Sequence, residues 1–235
     1  MNQSSYSDDS LRSFVVKLAG RSPEPAGGAA LALAGASAAA LVSLCCHSGA
    51  RSARDADVAR AFGACLVRTE TILSRAQALI DDDVHAYRDV SESLQLPRDS
   101  AEDELLRRDA LDRALLGAID VPLAVAETAL ETITLALETA PRLSPPVMGD
   151  LFAAICLAEA AVAGSLCNAR INARAVADRA RAGVAESRIE LVAGRAAALG
   201  ERAAAVLAAD LAAPPFPAAA AAPLPGRASP LRPRR

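Results

Sequence analysis

The sequence predicts an all-α fold, and two observations carry that reading. Just over half of the chain is apolar, at 52%, yet aromatics make up only 3% and Trp is absent. Apolar content built from Ala and Leu suits closely packed helices. Apolar residues also recur at spacings of three, four and seven over long stretches, and no stretch with a period of two is convincing as a strand. With 235 residues the chain can bury a sizeable core. The expectation is a single-domain bundle of about seven helices around a buried Ala/Gly-rich central helix. The bundle should occupy residues 9–210, between a flexible N-terminus (1–8) and a disordered Pro/Ala-rich tail (211–235).

Taken in order, Asp9 or Ser10 can cap a short first helix ending near Gly20, where Gly20-Arg21-Ser22-Pro23 breaks it. Ser22-Pro23-Glu24-Pro25-Ala26-Gly27-Gly28 is a turn that opens a buried helix over 27–48. Gly27 to Cys46 is charge-free and as long as a membrane span. It is mostly Ala, Gly and Ser, however, with no flanking Trp or Tyr belt. Small residues all round a helix let neighbours approach on every side, which suits the centre of a bundle. A charged connection leads to a long helix over 56–93, closed by Leu96-Pro97. Ser100 with Asp103 forms a capping pattern for a helix over 101–119. Val121-Pro122 bends or restarts it, and it continues to Ala140. After a Pro-rich loop, Asp150 starts a helix to 171, and a last helix covers 184–210. The segment 213–235 ends in Arg-Pro-Arg-Arg and lacks the apolar pattern needed to order itself.

The formal net charge of −3 gives no electrostatic reason to expect a nucleic-acid partner. Cys45, Cys46, Cys65, Cys156 and Cys167 are odd in number and contain no C-x-x-C pair. They read as buried free thiols of a reducing cytoplasm. His47 and His85 are the only histidines. Without a Cys/His cluster at ligand spacing, no metal site is expected.

Asp83 is the first residue to draw attention. Leu73, Ala76, Ile80 and Tyr87 recur with helical spacing, and Asp83 falls in phase with them, three after Ile80 and four before Tyr87. Asp81 and Asp82 point elsewhere and can sit in water. A run of three Asp is ordinarily a solvated surface, and Asp83 could pair with one of many arginines. A carboxylate on a buried face otherwise costs several kcal/mol, a cost chains accept where the group does chemistry. Glu159 repeats the pattern, with Phe152, Ile155, Val162 and Leu166 in phase around it. Asn168 and Asn172 follow on one face near the same helix end. Two carboxylates and two amides inside an apolar bundle could form a small polar cleft. A buried Glu159–Arg170 pair with two capping asparagines is the structural alternative.

The order of motifs resembles the cyclodeaminase/cyclohydrolase family of folate one-carbon enzymes over roughly residues 9–210. The family's S-P-x-P-G-G-G-S is similar to Ser22-Pro23-Glu24-Pro25-Ala26-Gly27-Gly28-Ala29. Its D-x-D-A-x-A-F resembles Asp81-Asp82-Asp83-Val84-His85-Ala86-Tyr87, and its V-P-L-x-x-A resembles Val121-Pro122-Leu123 with Ala126. Its S-D-x-x-V-A-A-x-x-x-E and N-V-x-I-N resemble Gly149-Asp150 with Glu159, and Asn168 to Asn172. Ala26 and Ala29 replace a Gly and the Ser of the glycine turn, and the family's L-T-x-G-[KR] has no counterpart in Leu44–Arg51.

The resemblance implies a homodimer that holds reduced folate in a cleft between helices. It implies Asp83 as the catalytic acid, with Gly27, Gly28, Asp150, Glu159, Asn168 and Asn172 as substrate-binding residues. No cofactor is implied beyond tetrahydrofolate as the carrier of the one-carbon unit, and no membrane or nucleic-acid partner. The activity implied is methenyltetrahydrofolate cyclohydrolysis or formiminotetrahydrofolate cyclodeamination. The competing expectation is a divergent, non-catalytic helical dimer that binds a folate-like ligand or a partner protein.

Overall fold

A computed structural model describes residues 5–212. Among them it holds six α-helices and no strand: α1 (Leu11–Leu18), α2 (Gly27–Ser52), α3 (Ala56–Leu94), α4 (Ala101–Thr139), α5 (Met148–Ala175) and α6 (Arg179–Ala212). Two short 3₁₀ turns, Ala140–Arg142 and Pro145–Val147, join α4 to α5. Of the tail expected over 211–235, residues 211–212 end α6 and the rest lies outside the described residues.

The caps follow local chemistry. Ser10 accepts from the Ser13 N–H at the start of α1, and Asp55 accepts from Asp57 and Val58 at the start of α3. Ser100 and Asp103 form a reciprocal capping box for α4. The first helix of the core, α2, has no such device, because Ala26 at its N-cap carries no acceptor.

The expected seventh helix does not form, because α4 runs unbroken through Pro122. Proline lacks the N–H that would bond the Ala118 carbonyl one turn back. Asn172 of α5 supplies the missing donor, with Nδ2 2.6 Å from the Ala118 oxygen. A tertiary contact therefore supplies the bond that Pro122 removes from the ladder.

α2 lies at the centre, against α3, α4 and α5; α4 packs against α3 and α5, and α6 covers α4 and α5. The buried side of α2 is made of Ala29, Ala32, Ala36, Ala38, Ala39, Val42, Cys45 and Cys46 with Gly28, Gly35 and Gly49. Such small side chains let helix axes approach closely. A Cβ on Gly49 would fall within 2.3 Å of the Phe62 ring, and one on Gly164 within 2.6 Å of Leu31. Two segments, Gly27–Ser52 and Pro145–Ala175, are long and apolar enough to cross a membrane by length and composition, and both supply buried residues to this core.

Within the N-terminus expected to be flexible (1–8), residues 1–4 lie outside the described residues, whereas residues 5–7 contact α3. The Ser5 hydroxyl and the Tyr6 N–H each donate to Asp81 at 2.6 Å, and the Ser7 N–H donates at 3.4 Å. Lys17 pairs with Asp9 at 2.6 Å and sits 5.0 Å over the Tyr6 ring. Asp81 is therefore half-buried and not in water. Burial pushes its carboxyl up, but the hydrogen bonds from Ser5, Tyr6 and Ser7 outweigh that and hold it below the usual Asp range.

Candidate active site

A cleft of about 380 Å³ opens where the N-terminus of α2 meets the C-terminal halves of α3 and α5 and the middle of α4. Gly27 and Gly28 form one wall, Asp83 and Tyr87 another, and Pro122, Asn168 and Asn172 the far side. Five of the seven residues singled out from the sequence thus meet in one place. Tyr87 was expected in the core stripe, but it is 42% exposed and lines the cleft. The stripe leaves the core near the end of α3, so Asp83, Ala86, Tyr87 and Val90 face the cleft together.

Asp83 sits against the start of α2. Its carboxyl accepts a hydrogen bond from the Ala29 backbone N–H. Ala29 is the third residue of α2, so Asp83 supplies from α3 the cap that Ala26 cannot. The two chains come so close that a Cβ on Gly28 would lie 1.9 Å from Asp83 Oδ1. Any larger residue at position 28 would therefore displace the Asp83 carboxyl. Burial pushes the Asp83 carboxyl above the usual Asp range, and the Ala29 hydrogen bond only partly offsets this. No basic side chain is among the residues lining the cleft.

The glycine wall is held from behind. Arg88, one turn beyond Asp83, donates through Nε to both Glu24 oxygens, at 2.9 and 2.8 Å, and through Nη2 to Oε1. Such a forked pair fixes position as well as charge. Glu24 precedes Pro25-Ala26-Gly27-Gly28, so the turn is tied to the helix that carries Asp83.

Asp150 and Glu159 do not join this site. Asp150 is exposed in the first turn of α5 near Cys45, about 27 Å along that helix from Asn168. Glu159 is exposed beside a separate groove lined by Leu130, Ile133, Val162 and Ala196. It does not pair with Arg170, which bonds Glu190 at 3.0 Å. The pattern of large apolar residues misled here. The buried face of α5 is centred on Ala154, Ala158, Ala161, Ser165 and Ala169, and Glu159 lies outside it. Sequence reasoning also missed the Ala118–Asn172 contact; Pro122 within an otherwise helical pattern was the available signal. Among the described residues no group of three His, Cys, Asp or Glu is placed to hold a metal.

The fold and site together define an all-α bundle with an acidic cleft at a glycine-opened helix start. A family profile described as formiminotransferase-cyclodeaminase matches residues 10–191, and the chain belongs to that family. Methenyltetrahydrofolate cyclohydrolase of Methylorubrum extorquens is 31% identical over 195 residues, covering 83% of this chain and 94% of that protein. Formimidoyltransferase-cyclodeaminase of Sus scrofa is 32% identical over 179 residues, covering 72% of this chain but only 31% of that longer protein. The solved structure of formiminotetrahydrofolate cyclodeaminase from Thermotoga maritima matches with a TM-score of 0.76 at 21% identity, over 87% of this chain and 98% of that one. That likeness establishes the shared all-α fold.

Proposed function

We propose that this chain is a folate one-carbon enzyme acting at methenyltetrahydrofolate, with Asp83 as the proton-transfer group. The observation that carries the reading is the half-buried Asp83 carboxyl, lifted above its usual range, in the cleft where Gly27, Gly28, Asn168 and Asn172 converge. Similarity to a cyclohydrolase along 94% of that protein's length makes hydrolysis of the methenyl bridge the first reaction to test.

In that reaction water adds to the methenyl carbon, which lies between two nitrogens. A carboxylate takes the water proton and returns it to the nitrogen that departs. In cyclodeamination one folate nitrogen attacks the formimino carbon, and the carboxylic acid protonates the amine that leaves as ammonia. One carboxyl that takes up and gives back a proton serves either direction. Reduced folate is the ligand in both.

The same reading makes the enzyme a homodimer. Leu33, Leu41 and Leu44 of α2 and Cys156, Cys167 and Ile171 of α5 lie on incompletely covered helix faces, with Leu44 48% and Ile171 57% exposed. An apolar face of that extent suits a second copy of the chain. Its five cysteines are free thiols, but only Cys45 and Cys46 are buried; Cys156 and Cys167 are exposed, against the expectation that all are buried.

The test follows the absorbance of methenyltetrahydrofolate with and without the protein. Its loss at a rate well above buffer, abolished in Asp83→Asn, supports the reading. A wild-type chain that binds reduced folate but turns over neither methenyl- nor formiminotetrahydrofolate overturns it in favour of a non-catalytic binding protein.

A further inference from the structure

Pro122 creates an orphan inside the wall of the cleft. The Ala118 carbonyl has no N–H one turn on, and a part-buried carbonyl without a partner forfeits a hydrogen bond. The Asn172 Nδ2 at 2.6 Å satisfies it. A carbonyl only accepts, so the NH₂ end of this amide is the end held there. Turning the amide over would put two oxygens face to face and strip Ala118 of its donor. An asparagine without such an anchor could turn either end to a ligand; this one has one N–H spent on Ala118, which fixes the orientation of the amide and leaves Oδ1 as its unbonded acceptor. Among the described residues its side chain makes no other hydrogen bond.

We infer that Pro122 and Asn172 act as a polarity lock, with Ala118 holding the amide by its NH₂ end so that Oδ1 is a fixed acceptor for an N–H edge of the ligand. On the folate reading above, on which this part rests, that edge belongs to the reduced pterin, whose ring N–H and amino groups are donors. Asn172 then governs which face of the bicycle is held, while Asp83 across the cleft handles the proton. The lock also joins two elements far apart in sequence, since the carbonyl that Pro122 leaves unbonded in α4 is bonded from α5.

The experiment is a cycle of four chains: wild type, Asn172→Ala, Pro122→Ala and the double variant. Asn172→Ala alone should lower the melting temperature by about 2–4 °C, the order expected for one hydrogen bond lost from a part-buried carbonyl in a chain of this size. With Ala at position 122 a backbone N–H covers Ala118, and the same change should cost less than half as much. Equal shifts in both backgrounds would overturn the lock.

Binding of 5-formyltetrahydrofolate, a stable reduced folate, is then measured by calorimetry. Asn172→Ala should weaken it at least tenfold. Asn172→Asp loses the donor and keeps acceptors, so it should lose stability like Asn172→Ala yet weaken binding less. Equal weakening by both, or wild-type affinity in Asn172→Ala, would overturn the acceptor role. A wild type that does not bind this folate at all overturns the pterin assignment and the folate reading with it, while the melting cycle still decides whether Ala118 holds Asn172.

Discussion

Asp83 caps a helix to which it does not belong. That role and the proposed proton transfer make different demands on the side chain, so substitutions separate them. Asn in its place can still accept from the Ala29 N–H but cannot titrate. Asp83→Asn should therefore lower turnover by about 10²–10⁴. Its effect on stability follows from the raised carboxyl. A folded-state value above the unfolded one favours the protonated form. That contribution is complete below about pH 3.9, the ordinary Asp value, and is lost as pH rises through the folded value. Asp83→Asn should thus melt above the wild type at neutral pH and level with it below about pH 4. Asp83→Ala loses the cap as well and should fall about 1 kcal/mol below Asp83→Asn in urea unfolding. Gly28→Ala tests the same contact from the other side. Its Cβ cannot coexist with Oδ1 at 1.9 Å, so the carboxyl must swing away. Turnover should drop as in Asp83→Asn, with about 1–3 kcal/mol of stability lost to overpacking. Asp83 was legible in the sequence because Ile80 and its neighbours are large. Glu159, read by the same rule, was misplaced because alanines define the buried side of α5.

At the scale of elements, the helix limits were legible wherever a side chain punctuates them. Ser10 and Ser100 marked starts that the structure keeps. Pro122 was read as a break because its repair, Asn172, lies fifty residues downstream in sequence and the contact is invisible locally. Asp112 was missed for a similar reason. It is only 5% exposed, and its carboxylate accepts from the Ala177 and Asp178 N–H groups at 2.7 and 2.8 Å. Those N–H groups belong to the turn between α5 and α6, so Asp112 of α4 sets where the last helix begins. Asp112→Ala should cost about 3 kcal/mol, read by urea unfolding, since two donors lose a charged acceptor. Turnover per folded molecule should change far less, because Asp112 lies outside the cleft. The buried threonines of α4 are satisfied within their own helix. Thr128, Thr132 and Thr139 each donate to a carbonyl one turn back, so they pack as part of the apolar core.

For the whole molecule, fold class and central helix were readable because composition and small-residue clustering are global signals. The grouping of site residues was only partly so, because which helix ends meet is set by packing. The proposed dimer gives that packing a test. Leu44→Glu places a charge on the open face of α2 without touching the buried side. It should convert a dimer into a monomer in sedimentation velocity at micromolar concentration. A wild-type chain that already sediments as a monomer removes the dimer.

The distribution of thiols has a practical consequence for that question. Cys45 and Cys46 are fully enclosed, and burial pushes their thiols up to about 11 and about 12, so they stay unreactive at neutral pH. Cys156 and Cys167 are exposed on the outer face of α5. The chain therefore carries its own footprinting reagents. An alkylating probe should mark Cys156 and Cys167 in the Leu44→Glu variant and spare them in the wild type at high concentration, reporting peptide by peptide which surface the second copy shields.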